Sequence, residues 1–257
     1  LIGVGPAASW RKTALPDLWT RLRWAFGVAL VVAIVVPLLQ GRLAPLTALG
    51  VFLAAWIAAA TAALVVERLR RTPQSGLVAK LRANPAAWYG MVVAHLGVAV
   101  FIAGVTLVRS YGIEQNVTLD KGQAVEVGGY VFTFQGVVPV TGPNYSGVAG
   151  VVEMRRNGVL LDTLHPEKRI YHASGTPMTE AAIDAGIFGD RYVSLGEPVS
   201  DKGEAGAWAL RIYIKPLVDW IWGGSFLMAL GGFIAMADRR YRLAVKRRIE
   251  ALVGAPA

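Results

Sequence analysis

The sequence predicts a membrane α-helical bundle of about four transmembrane helices with a β-rich domain inserted before the last of them. Three observations carry that prediction. The chain is 54% hydrophobic with a mean hydropathy of +0.47, too apolar for an ordinary soluble protein of 257 residues. Four apolar runs, at about 24–39, 46–66, 87–108 and 217–237, approach or reach the length that crosses a bilayer. Between the third and fourth lies a long polar stretch of short β-branched segments. The domains are therefore 1–108 with three spans, 109–215 as the β-rich unit, and 216–257 as a fourth span with a basic tail.

Charge and composition narrow the function classes. The chain contains no cysteine, which excludes disulfides, thiolate catalysis and Cys-ligated zinc. The formal charge is +9, yet residues 109–215 hold ten Lys and Arg against twelve Asp and Glu. The excess sits in short segments beside apolar runs, where positive charge sets membrane orientation. No basic patch interleaved with aromatics marks a nucleic-acid surface. Leu1 is no initiator Met and no cleavable leader pattern precedes it, which predicts a fragment or a processed product.

In chain order, residues 1–6 form an apolar stub, read as the tail of a helix. Residues 10–23 carry Arg11, Lys12, Arg21 and Arg23 against Asp17. The run 24–39 is slightly short for a span, but Trp19, Leu22 and the arginine stems extend it at the interface. QGRLAP at 40–45 is a tight turn. The alanine-rich run 46–66 favours packing on other helices over lipid. The loop 67–85 has Arg68, Arg70, Arg71, Lys80 and Arg82 against Glu67. Placing the basic segments 10–23, 67–85 and 238–248 in the cytoplasm puts both ends there and residues 109–215 on the outer, periplasmic side.

Within that outer domain, 113–119, 125–127, 130–138, 148–155, 159–163, 191–195 and 208–214 read as strands. Asn157-Gly158 is the strongest hairpin signal. Residues 179–185 read as a helical turn. Strands at this spacing predict a small barrel or sandwich.

The third run, WYGMVVAHLGVAVFIAGVTLV at 88–108, organises the rest. Its one ionisable residue is His95, a functional-site hypothesis at membrane depth. On a helical wheel His95 shares a face with Trp88, Met91, Ala99 and Ile102. A stripe of mostly small residues, Gly90, Ala94, Gly97, Phe101 and Gly104, lies roughly 140° away and suits close helix packing. Three readings of His95 stay open from these residues: an axial haem ligand, a histidine hydrogen-bonded to a neighbouring helix, and a proton relay. His165, before Pro166, reads as a turn residue, and His172 as a strand-end residue. Seven apart on a strand, they point to opposite faces and make a poor metal pair. Arg169, Tyr171, Glu180 and Arg211 form either a polar network or a solvated surface.

Several stretches in colinear order resemble the C-terminal part of the CcmF family, the membrane haem lyase subunit of bacterial cytochrome c maturation. They are LIGVGPAASWRK, WYGMVVAHLGVAVFIAG, PEKRIYHASGTPMTEAAID, RYVSLGE and WALRIYIKPLVDWIWGGSFLMALGGFIAMADRRYR. A relative serving nitrite-reductase maturation is similar too. The resemblance implies a multi-pass protein of the bacterial inner membrane that receives haem from the periplasmic chaperone CcmE. With CcmH-type and CcmI-type partners it would promote thioether attachment of that substrate haem to apocytochrome c. It implies a haem b within the membrane, reduced by quinol, with His95 at one of its two axial positions. The second ligand, the tryptophan-rich WWD segment and the histidines flanking that segment are not in this chain. It would therefore work with the missing upstream CcmF portion, and would not be a complete catalytic unit alone. Arg169, Tyr171, Met178, Thr179, Glu180 and Arg211 become a partner surface or an internal brace. The alternative is a cofactor-free membrane adapter presenting its β domain to partners. A proton-coupled transporter is disfavoured, since the spans carry a single ionisable group away from their ends.

Overall fold

The computed structural model of the chain describes residues 15–41, 44–199 and 206–238. These divide into a helical unit and a β unit of residues 107–219. The stub 1–6, residues 10–14 of the N-terminal basic segment, Arg42 and the basic tail beyond Asp238 lie outside the described residues.

The helical unit contains α1 (Leu15–Leu39), α2 (Pro45–Arg71), a short α3 (Leu77–Arg82), α4 (Ala86–Tyr111) and, after the β unit, α5 (Asp219–Met236). All but α3 are long and apolar enough to cross a membrane. The first two helices outrun their apolar runs: α1 begins at Leu15 and α2 continues to Arg71. Hydropathy marks only the part of a helix that suits lipid, while Arg and Glu are good helix formers beyond it. Arg68, Arg70 and Arg71 occupy the last turn of α2, where the helix dipole favours cations. Glu67 pairs there with Arg71 at 2.5 Å and with Arg21 of α1 at 3.8 Å. Leu22 and Ala25 of α1 bury against Ala60 of α2, and Phe26 meets Phe52 and Trp56 edge-on at 5.5 and 6.0 Å. The helix α3 was not foreseen; it lies inside the loop predicted at 67–85.

The helices α4 and α5 approach through glycine. A Cβ added at Gly97 would lie 2.7 Å from the Met228 amide nitrogen and 2.8 Å from the Gly224 carbonyl oxygen. One at Gly104 would reach the Ile221 amide at 2.9 Å, and one at Gly90 the Ala235 amide at 2.6 Å. From α5, a Cβ added at Gly224 would lie 2.5 Å from the Phe101 amide nitrogen, and one at Gly231 2.5 Å from that of Ala94. The predicted stripe of small residues is thus the seam. Its glycines recur every seven residues on α4, and Gly224 and Gly231 repeat that spacing on α5, so two antiparallel backbones stay in register over several turns.

The β unit is a sandwich, so the barrel alternative falls away. Its strands are β1 (Ile113–Leu119), β2 (Ala124–Val127), β3 (Tyr130–Thr141), β4 (Tyr145–Arg156), β5 (Val159–Leu164), β6 (Glu167–Tyr171), β7 (Pro177–Glu180), β8 (Ala182–Asp184), β9 (Gly189–Pro198) and β10 (Trp208–Pro216). One sheet has the order β1-β10-β9-β8, the other β2-β3-β4-β6-β7 with β5 also on β4, and every pairing is antiparallel. Inward residues of both sheets make one core. Phe132, Phe134, Val152 and Met154 face Val193, Leu195, Leu210 and Ile212, all fully buried or nearly so. Asn157 (φ 51°) and Gly158 (φ 78°) form the hairpin between β4 and β5, where both central residues need positive φ.

One expected element is corrected here and one is trimmed. Residues 179–185, read as a helical turn, belong to β7 and β8. Thr179 pairs with Lys168 and Ile183 with Tyr192, and that non-local pairing overrides the local Ala-Ala-Ile preference for helix. The strand presumed to carry both His165 and His172 is β6, which spans only Glu167–Tyr171 and includes neither histidine.

Candidate functional site

His95 sits nine residues into α4, about 14 Å along an axis of roughly 39 Å. The ring is half-buried, as are Trp88, Met91 and Ile102 on the same face, while Ala99 is buried. Its Nδ1 lies 2.8 Å from the Met91 carbonyl oxygen. A carbonyl only accepts, so Nδ1 carries the proton and donates it. In a neutral ring Nε2 then holds the free lone pair, the arrangement that orients a metal-ligating imidazole. Thr106, about 20° from His95 on the wheel, is touched by Gly50 of α2, so α2 covers the far end of the His95 face.

The donor set on this face is one imidazole nitrogen, which could serve as a single ligand to a metal such as a haem iron. Among the described residues no three of His, Cys, Asp and Glu gather as a metal site. His165 lies between β5 and β6, His172 directly after β6, and both side chains are exposed.

In the β unit, four of the singled-out residues converge and two stand apart. Arg169 donates from Nε to Glu167 at 2.6 Å, lies 3.9 Å from Glu180, and rests over the Tyr145 ring at 4.4 Å. The Tyr145 ring meets Tyr171 at 5.7 Å. The Glu167 hydrogen bond, then one with Tyr171, raises the guanidinium's pKa above its ordinary value. Met178 pairs with Arg169 across β6 and β7, but its side chain is exposed. Thr179 and Arg211 instead line a polar groove with Asn116, Thr118 and Ser194. There Arg211 donates to Asn116 at 2.8 Å and to the Tyr213 hydroxyl at 3.3 Å, and the latter bond raises its pKa. Sequence reasoning missed Glu167 and Tyr145. The alternation Glu167, Arg169, Tyr171 along β6 is the signal that could have found Glu167.

Comparison with known proteins places these features. Residues 110–216 match the family described as CcmF C-terminal beta-sandwich. The chain is 40% identical over 246 residues to cytochrome c-type biogenesis protein CcmF of Escherichia coli strain K12, covering 94% of this chain and 36% of that protein. It is 32% identical over 152 residues to cytochrome c-type biogenesis protein NrfE of Haemophilus influenzae, covering 59% and 23% respectively. A solved structure titled cytochrome c heme lyase CcmF matches at a TM-score of 0.71 and 25% identity, over 92% of this chain and 37% of that one. The chain therefore spans little more than a third of the length of the CcmF proteins it matches. Within that span it belongs to the CcmF family, of which it represents a C-terminal portion.

Proposed function

We propose that this chain is part of the membrane haem lyase of cytochrome c maturation, and that His95 supplies one axial imidazole to a haem b within the membrane. The observation that carries the reading is the Nδ1 hydrogen bond to the Met91 carbonyl. It fixes the ring on its helix and leaves Nε2 for iron. The glycine seam supports it, because it seats α4 on α5 by another face and leaves the part of the His95 face that α2 does not cover for a helix of the upstream portion.

The second axial ligand comes from that portion. When bound, the haem would pass single electrons, from quinol, toward the substrate haem delivered by a chaperone of the CcmE type. This chain's own residues hold and orient. His95 fixes one side of the iron, and the apolar face of Trp88, Met91, Ala99 and Ile102 excludes water. The β unit, on the periplasmic side, presents its surface to CcmH-type and CcmI-type subunits and to apocytochrome c. Thioether formation needs mainly that the substrate thiols and vinyl groups be held in register, which is a positioning task.

The test is co-expression with the upstream portion, followed by reduced-minus-oxidised absorbance of the purified complex. Wild type should show a b-type signal and His95→Ala should lose it, with the complex still assembling. The chain purified alone should give no stable bis-histidine spectrum. An unchanged signal in His95→Ala would favour the cofactor-free adapter.

A further inference from the structure

The two ends of the sandwich carry different turns. Strand directions follow from the register: β1 leaves the end where Ile113 pairs with Ile214, and β10 returns to it. Both links to the spans leave there. Tyr111, the last residue of α4, is two residues before Ile113, and Pro216 is three before Asp219, the first residue of α5. The turns at this end are Gly128-Gly129, Asn157-Gly158 and the β8–β9 connection. A Cβ on Gly128 would abut Ile113 and Ile214, and Gly189 pairs with Pro216. Tyr130, next to the first turn, lies under Arg156 at 5.0 Å and Arg191 at 5.5 Å, which ties the hairpin to the same end.

The β8–β9 connection is unusual in composition. The Gly189 amide donates to the Gly186 carbonyl at 2.9 Å, so Gly186-Ile187-Phe188-Gly189 is a tight turn whose two central residues are Ile and Phe. Turn centres ordinarily take Gly, Pro, Asn, Asp or Ser. Here they are 73% and 80% exposed. The loop is built to hold them out. The buried Asp190 carboxylate accepts the Gly186 amide at 3.0 Å and the Tyr192 hydroxyl at 3.1 Å. Gly189 has φ 148°, with a would-be Cβ 2.9 Å from the Pro216 Cα. The Leu217 amide donates to the Phe188 carbonyl at 3.2 Å, two residues before α5 begins.

At the same end the β5 side of the hairpin exposes Val159, Leu160 and Leu161. Tyr192 and Tyr213 stand behind the turn with Lys215 over their rings at 4.6 and 5.2 Å. Amphipathic rings and a cation beside exposed apolar tips are the composition of a membrane–water interface. The opposite turns, 120–123, 142–144 and 172–176, carry Asp120, Gln123, Asn144, His172 and Ser174. Val199 is the large exposed apolar side chain beside the remaining connection, and Ile170 and Met178 are exposed on strands rather than turn tips.

We infer that Ile187 and Phe188, with Val159–Leu161 beside them, seat the β unit on the lipid of the bilayer its own helices cross. The inference needs only that the four apolar helices are spans, and not that His95 binds haem. Because the chain has no cysteine, single-site labelling is direct. Phe188→Cys, Leu160→Cys and, as a far-end control, Ser174→Cys would each be labelled with an environment-sensitive nitrobenzoxadiazole dye. The full chain would be reconstituted in vesicles of phosphatidylethanolamine and phosphatidylglycerol. Emission from residues 188 and 160 should be blue-shifted and lose at least half its intensity when spin-labelled lipid is included, while residue 174 should show neither. Water-like, unquenched emission at 188 would overturn the inference. A blue shift at 188 without quenching by labelled lipid would overturn it too, by showing protein instead of lipid on the turn.

Discussion

The α4–α5 seam and the sandwich core solve the same packing problem with opposite side chains. The seam is made of what is missing, since Gly90, Gly97, Gly104, Gly224 and Gly231 bring backbone against backbone. The core is made of bulk: Phe132, Phe134, Met154 and Leu195 lie fully buried between two sheets. The solvent explains the difference. In water, removing large apolar surface drives folding at about 25 cal/mol per Å². In lipid that drive between helices is absent, so close contact and interhelical dispersion must supply it, and the smallest side chain allows the closest approach. One chain therefore fills the sandwich with large residues and closes the α4–α5 seam with the smallest.

The largest test of this contrast removes bulk from the core. Phe132→Ala should destabilise the β unit by about 3–5 kcal/mol, the usual range for deleting a buried aromatic ring. In a unit of this size that lowers the thermal midpoint by well over 10 °C. Strand-sensitive circular dichroism would follow it. A loss below about 1 kcal/mol would mean the core is not the organising element of the unit.

Adding bulk to the seam comes next. Gly97→Leu drives a side chain into the Met228 amide and Gly224 carbonyl, neither of which can swing aside as a flexible side chain can. Overpacking of this kind costs about 1–3 kcal/mol. The informative control is on the same helix pair. Gly232 has nothing within 4 Å of a would-be Cβ, so Gly232→Ala should be neutral or stabilising by up to about 1 kcal/mol. Unfolding of the reconstituted chain in a denaturing detergent, read from helical dichroism, separates the two. Equal effects at 97 and 232 would mean that helix propensity governs the unit instead of the seam.

The contrast also decides what the sequence made legible. The seam was readable because glycine at membrane depth is a strong local mark, and its spacing of seven already chose the face. His95 was readable for the same reason, a single ionisable residue in an apolar run. Its Nδ1 partner was readable only as position, since Met91 is one turn back, while the hydrogen bond depends on the ring's rotamer. Strands with alternating β-branched residues, such as 113–119, matched their observed bounds. The pair β7–β8 did not, because Lys168–Thr179 and Ile183–Tyr192 are partners chosen across the chain, and no local window contains that choice. The turn at Ile187–Phe188 was invisible for a related reason. Two apolar residues between short strands look like core until the fold places them at a tip.

The smallest effect should come from the polar cluster that is neither seam nor core. Arg169 joins Glu167, Glu180 and the Tyr145 ring on the face of the second sheet, and its raised pKa keeps it cationic at any working pH. A cation whose folded pKa is raised contributes stability that is complete below its unfolded value, so no alkaline loss should arise from Arg169. Arg169→Lys keeps the charge at neutral pH but gives up the planar fork and its stacking over Tyr145. Since solvent reaches the cluster, the drop in thermal midpoint at pH 7 should be smaller than for either Phe132→Ala or Gly97→Leu. The sharper readout is pH. Lysine loses its proton near pH 10.4, so the gap between variant and wild type should widen from about pH 9 to 11. A brace predicts that widening together with unchanged capture of the CcmH-type partner proposed above. A docking surface predicts the reverse, with capture lost at pH 7 and the two melting curves superimposed.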